Sequence, residues 1–279
     1  MCALNSVGAA ISMQIVLDEV VAKCPCCGSR KNIPFWSVAK DCTFYGVDVF
    51  YRKCVMCQAI YLTPRMSDIR TRQFYSAEYR DSYVKELKDY SDDWELARQK
   101  NRYEIMLKML YKTKPDFGKA NFYHLDIGCD MGIFLDAVQI KYAHFNPCSV
   151  GIEWNDINAD VAVSKGYIRI FNDWKYVEKM NMKFDIVTIS HVLEHMNNPL
   201  MELKRIYKKM NKGGVLLIEV PNAEVYPSTY APVHPIAFTN QSLWNVVAKA
   251  GFKVTLTYTH HGLMSFPLGY YLDVIAEKE

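Results

Sequence analysis

Three sets of residues in this chain have the types and spacing to do chemistry. The first is cysteine. Cys24-Pro25-Cys26-Cys27 and Cys54-Val55-Met56-Cys57 each contain a C-x-x-C knuckle, a turn tight enough to aim two thiolates at one ion. Two knuckles supply four sulfurs, the donor set of a closed tetrahedral zinc site that leaves no position open for catalysis. Cys26 could stand in for Cys24 or Cys27, but the C-x-x-C register favours Cys24 and Cys27, with Cys54 and Cys57. The second set is Asp126 followed by Gly128, Asp130 and Gly132 in FYHLDIGCDMGIFL. An apolar run, a glycine turn and a helical pattern together present backbone N–H groups and a helix N-terminus to a cofactor. The glycine spacing is not the G-x-G-x-x-G of a dinucleotide fold. The third set is Ser190-His191-Val192-Leu193-Glu194-His195. On one helix the two histidines would share a face and bind zinc with Glu194 as base, the H-x-x-E-H arrangement of a metallopeptidase. That reaction needs a third ligand and an edge strand for substrate, and the sequence points to neither.

Other residues stand at element ends. Glu153 closes the strand after the glycine turn, where a carboxylate can accept both hydroxyls of a ribose. Asn172 and Asp173 follow the next short strand and could instead cap a helix. His234 is a lone histidine whose neutral imidazole could remove a hydroxyl proton. His260, His261 and Tyr226 are further candidates of lower rank.

These groups need elements to hold them. Strand patterns at 122–127, 149–153, 167–171, 184–189 and 214–220 alternate with helical ones at 133–141, 156–165 and from Pro199 to the N-K-G-G that stops it. A helix over 239–250 then leads to strands at 252–259 and 270–276, joined as an antiparallel hairpin. Strand–helix alternation predicts a parallel, doubly wound α/β sheet. Upstream, Tyr75, Tyr79 and Tyr83 at i, i+4 and i+8 predict an amphipathic helix, packed on the core or lying over its cleft as a lid. A longer helix opens at Asp92, with Ile105, Met106, Met109 and Leu110 as its apolar stripe, and ends before K-T-K-P-D-F-G.

Half of the 279 residues are hydrophobic, which suffices for one large domain and a small one. Nine cysteines without a secretory pattern indicate metal and free thiols (Cys2, Cys42, Cys129 and Cys148) rather than a disulfide framework, and a cytoplasmic location. Met13 is an alternative start. A net charge of +3 and the absence of a basic run in 20–65 argue against nucleic acid as the partner. No apolar run has the length of a membrane span.

The glycine turn resembles the first motif of class I S-adenosylmethionine (SAM) dependent methyltransferases, D-x-G-x-G-x-G, with Asp130 in place of the middle glycine. The resemblance extends over nearly everything after about residue 20. The C-P-x-C-G-S-type knuckle, the second C-x-x-C, Pro64-Arg65 and the tyrosine-rich run from Phe74 are similar to the N-terminal zinc module of a bacterial methyltransferase group that modifies sugars and glycan or natural-product precursors. The stretches H-V-L-E-H and N-N-P-L-M-E-L-K-R-I-Y-K-K-M-N-K-G-G-V-L-L-I-E-V-P-N continue the match, as does the H-x-x-x-F-T element at His234. The resemblance implies a Rossmann-like seven-stranded sheet with a terminal antiparallel hairpin and a small N-terminal zinc ribbon. The implied organisation is an extension (1–19), a zinc ribbon (20–65), a helical connector or lid (66–117) and a SAM-binding domain (118–279). It further implies SAM contacts from Asp126, Gly128, Asp130, Gly132, Glu153, Asp173 and Ser190, with Asp173 at the adenine. His191, His195 and His234 become candidate bases, and Zn2+ is structural. Sugar C-methyltransferases with a similar module usually carry a further C-terminal domain, whereas this chain ends at its last strand. The expectation is therefore O-methylation of a small molecule or glycan precursor. The rival readings are an RNA methyltransferase and a binding protein that lost SAM through Asp130.

Overall fold

A computed structural model describes residues 15–38, 47–78, 92–114, 121–167, 169–225, 229–261 and 270–279. Tyr79, Tyr83, Tyr226, Cys2, Cys42 and the Met13 start lie outside this set.

The first three strands, β1 (Asn32–Val38), β2 (Val49–Cys54) and β3 (Ile60–Leu62), form an antiparallel meander. A fourth strand, β9 (Ile236–Ala237), arrives from far along the chain and pairs antiparallel with β3. The core of this small sheet is correspondingly shared. Val49, Tyr51, Ile60 and Leu62 pack with Ala223 and Ala237, while Cys24, Cys26, Cys54 and Tyr61 join the main core.

Helix α1 (Asp68–Gln73), capped by Ser67, passes into a π turn over Phe74–Glu78. The predicted tyrosine helix is therefore a short helix with a wide last turn among the described residues, and of its three tyrosines only Tyr75 can be followed. Helix α2 (Asp92–Thr113) buries Arg102, Met106, Leu107 and Leu110. Of the expected stripe, Met106 and Leu110 are buried and Met109 packs partly buried against the same core; Leu107 joins them in place of Ile105, and the buried Arg102 shares the face.

The main sheet has the order β10-β11-β8-β7-β4-β5-β6. Its strands are β4 (Tyr123–Ile127), β5 (Cys148–Ile152), β6 (Ile170–Phe171), β7 (Phe184–Ser190), β8 (Met210–Pro221), β10 (Lys253–His261) and β11 (Tyr270–Glu277). Strands β4 to β8 pair in parallel, and β11 runs antiparallel to both β8 and β10. The connecting helices are α3 (Ile133–Lys141), α4 (Asp156–Ser164), α5 (Trp174–Lys179), α6 (Pro199–Lys209) and α7 (Asn240–Lys249). Strand order reverses between β4 and β7, so the crevice at their carboxyl ends is where an open α/β sheet receives its ligand.

Two expected boundaries move. The edge strand β6 is only two residues long, Ile170–Phe171; before it, the Tyr167 hydroxyl donates to Asp136 on α3 (2.9 Å). The N-K-G-G segment does not stand outside the sheet. It belongs to β8, whose register jumps from Phe184↔Met210 to Ile186↔Val215. Gly213 adopts φ +75° within this irregularity, and a Cβ on Gly214 would lie 2.9 Å from the Asn211 carbonyl.

Candidate functional site

The site is built on the carboxyl ends of β4, β5, β7 and β8. After β4 the chain turns through Gly128 (φ +73°), Asp130 (φ +48°) and Gly132 (φ +78°). Gly128 is required on two counts: its φ favours glycine, and a Cβ there would come within 2.2 Å of Val192 Cγ2. Asp130 occupies the same left-handed region, which aspartate tolerates better than most residues. Two N–H groups of the turn, from Gly128 and Cys129, donate to the Ile152 carbonyl at 2.8 and 3.0 Å and tie it to β5.

Glu153 follows β5 directly. Its Oε2 accepts from the Asp130 N–H (2.9 Å) and its Oε1 from the Asn155 N–H (2.7 Å). Burial outweighs these bonds and pushes Glu153 up to about 7. Asp126 is likewise raised to about 7 by burial, although the Thr188 hydroxyl donates to it at 2.6 Å, and Glu153 and Asp130 raise it further. Three carboxyls thus crowd one corner beside a glycine turn, Asp126 buried and Glu153 and Asp130 half-buried. A ligand bringing hydroxyl donors and positive charge would satisfy them, and SAM has both in its ribose and its methionine portion.

Asp173 lies at the neighbouring strand end but is already engaged. It caps α5, accepting from the Lys175 N–H (2.9 Å), and pairs with Arg72 of α1 (2.9 Å); both hold its carboxyl low. Next to it, the buried Trp174 Nε1 finds no hydrogen-bond acceptor among the described residues.

Across the crevice, Ser190 ends β7. Its hydroxyl donates to Glu219 Oε1 (2.9 Å) and accepts from Arg102 Nη2 (3.0 Å). Glu219 is the centre of a buried knot. Arg102 Nε donates to it at 2.9 Å, His260 Nε2 lies 3.2 Å from it and 2.9 Å from Asp273, and the Arg102 guanidinium stacks 4.7 Å from the Tyr271 ring centroid. Burial alone would raise Glu219, but Arg102, His260 and His191 hold it well below the carboxylate range. Burial would lower His260, yet Asp273 and Glu219 push it up to about 10. Burial raises Asp273 to about 6. None of Arg102, Glu219 and Asp273 was singled out by sequence. A charged residue inside each of two apolar patterns, GVLLIEV and YYLDVIA, was the signal available.

His191 follows Ser190 at φ +54°, with its ring edge-on to Tyr271 and 3.5 Å from both Glu219 and Glu194. Leu193–His195 is a single 3-10 turn that excludes His191. The two histidines therefore do not share a helix face, and the peptidase-like pair does not form. His195 turns instead to Tyr75 and His234. Its Nδ1 lies 2.9 Å from the Val233 carbonyl and 2.5 Å from the Tyr75 hydroxyl, and its ring centroid is 4.7 Å from that of His234. His234 Nδ1 donates to the Thr229 carbonyl (2.9 Å), and its own carbonyl accepts from Tyr51 of β2 (2.5 Å). Burial lowers His195 to about 3 and His234 to about 4, so both imidazoles are neutral at pH 7.

The knuckles converge as expected. Cys24 and Cys57 are 3.5 Å apart at sulfur, as are Cys27 and Cys54, and all four sulfurs lie within 4.8 Å of one another. A zinc tetrahedron with bonds of ~2.3 Å has sulfur–sulfur edges of roughly 3.8 Å, so the donor set fits. Cys26 is buried but outside the cluster. The Asn245 side chain of α7 donates to the Cys57 carbonyl (3.0 Å), tying the knuckle to the main domain.

A methyltransferase-domain family model matches residues 94–257. No curated protein matches the chain. A SAM-dependent methyltransferase from Archaeoglobus fulgidus aligns with a TM-score of 0.52 at 19% identity, over 70% of this chain and 99% of that one. Magnesium protoporphyrin IX methyltransferase from Synechocystis PCC 6803, solved with bound SAH, aligns with a TM-score of 0.53 at 12% identity, over 76% of this chain and all of that one (100%). At these identities the likeness is one of fold.

Proposed function

This chain belongs to the methyltransferase-domain family, and from that premise we propose that it transfers the methyl group of SAM to an oxygen of a small molecule or glycan precursor. The observation that carries the SAM reading is the corner where Glu153 meets the glycine turn, with its carboxyl raised to about 7 and beside two others. Glu153 would accept the ribose hydroxyls. The Gly128–Gly132 backbone would receive the methionine portion, with Asp130 placed to pair with its ammonium. Asp126 shapes the floor. Asp173 and Trp174 border the adenine end, and Ser190 closes the crevice opposite.

Bound SAM brings an activated methyl on a sulfonium, so the protein mainly has to align the acceptor and accept its proton. His191, His195 and His234 line the acceptor side, and His191 is the proposed base among them. His191 leads the three because its side chain is 29% exposed at the end of β7 and it sits between Glu194 and Glu219, which can orient it. The sulfurs of Cys24, Cys27, Cys54 and Cys57 would hold a structural Zn2+ that fixes β1–β3 against the loop carrying His234. Among the described residues no helix is long and apolar enough to cross a membrane.

The test is transfer from SAM with a labelled methyl to a panel of sugar nucleotides, phenols and RNA. Labelled methyl ether on a small acceptor is the expected product. Label found only in RNA would replace this reading with the nucleic-acid one.

A further inference from the structure

We propose that Glu194, His195 and His234 form a second metal centre, an N,N,O site for a borderline divalent cation such as Zn2+, separate from the four-cysteine cluster. One ligand atom from each of the three lies within 4.8 Å of the others.

The histidine tautomers are set for it. A carbonyl can only accept, so His195 Nδ1, at 2.9 Å from the Val233 carbonyl, carries the proton; the Tyr75 hydroxyl is its second acceptor. His234 Nδ1 is protonated for the same reason, donating to the Thr229 carbonyl. Each Nε2 therefore keeps its lone pair. Fixing one ring nitrogen on a main-chain carbonyl so that the other faces the ion is how proteins prepare ligating histidines. Tyr51 holds the His234 segment in turn, its hydroxyl reaching the carbonyls of Ala231 (2.9 Å) and His234 (2.5 Å).

The third ligand supplies the independent observation. Glu194 is 1% exposed, and neither carboxyl oxygen has a hydrogen-bond partner among the described residues. The nearest ring nitrogens are those of His191 at 3.5 Å and His195 Nε2 at 3.8 Å. A buried carboxylate without donors is costly, and a cation between it and two imidazoles relieves that cost. Beyond this shell, Glu219 is paired with Arg102 and His260, and Asp273 with His260, so of these buried carboxyls Glu194 is the one that faces His195 and His234. Two imidazoles and one carboxylate suit zinc-like ions rather than Mg2+ or Ca2+, which prefer oxygen alone. Bonds of ~2.1 Å would draw the ligand atoms to roughly 3.4 Å apart, within the reach of small side-chain rotations. Three protein ligands leave a coordination position for an oxygen ligand. That this oxygen is the acceptor's rests on the proposed function; occupancy by metal does not.

The experiment is metal analysis of the full chain loaded with Co2+ and dialysed, with absorption recorded alongside. The expected result is two equivalents, one with thiolate-to-cobalt charge transfer and one with only weak visible bands. His234→Ala and Glu194→Gln should each lower the content to one and leave the thiolate band intact, while Cys24→Ser with Cys27→Ser should remove that band and leave the other. Wild-type protein holding one equivalent with a purely thiolate spectrum would overturn the proposal without reliance on any variant. So would two equivalents that persist in His195→Ala and His234→Ala.

Discussion

Glu153 is the residue on which the cofactor reading turns. In the proposed site its ionised form would accept the ribose hydroxyls, and burial raises its folded value to about 7. Below that pH the carboxyl holds a proton that binding must displace. Affinity for SAM or its demethylated product is therefore expected to fall about tenfold per pH unit below about 7 and to level off above it. Calorimetry at three pH values checks this. Glu153→Ala should cost roughly 3 kcal/mol, about a hundredfold in affinity, from two charge-assisted hydrogen bonds. The turn makes a second prediction. Gly128→Ala places a Cβ against Val192 and should abolish binding, whereas Asp130→Gly removes a left-handed aspartate and should retain it. Much of this corner was legible in the sequence, because Asp126, Gly128, Asp130, Gly132 and Glu153 sit at fixed offsets within one strand–turn–helix–strand unit. Asp173 was placed correctly at a strand end, but its engagement by Arg72 joins residues far apart in the chain, and no local pattern announces such a pair.

At the scale of elements, α2 is docked by a charge. Arg102 lies in its buried face and meets Glu219 on β8, whose register neighbours are Ser190 on β7 and Asp273 on β11. Removing one partner strands the other, so Arg102→Ala is expected to destabilise the protein by about 3–5 kcal/mol in denaturant unfolding. Replacing both, as Arg102→Met with Glu219→Leu, should recover most of that loss. Helical periodicity located α2 and most of its inward stripe but missed Arg102, because an arginine reads as a solvent-facing residue until its buried partner is known. The N-K-G-G segment follows the end of α6 at Lys209 as expected, but it also belongs to β8. It has the composition of a helix stop, yet its glycines sit at the register shift between β7 and β8.

On the scale of the whole molecule, the order β10-β11-β8-β7-β4-β5-β6 puts the glycine turn, Ser190 and Glu219 along one sheet edge. The four-cysteine module reaches that edge through the β3–β9 pairing and through Tyr51, which holds the His234 loop. If Cys24, Cys27, Cys54 and Cys57 hold the proposed ion, its chelation is expected to lower the melting temperature of the whole chain and expose Tyr51 and Tyr61, with tyrosine fluorescence as the readout. Alternation of strands and helices made the large sheet legible; the β3–β9 pairing, between segments far apart in sequence, was not. The central claim is that this fold still binds SAM despite Asp130, and calorimetric titration of the zinc-loaded protein with S-adenosylhomocysteine tests it most directly. Binding in the micromolar range, lost in Glu153→Ala, is the predicted result. No heat at millimolar ligand, from protein shown to be folded and metal-loaded, would contradict it.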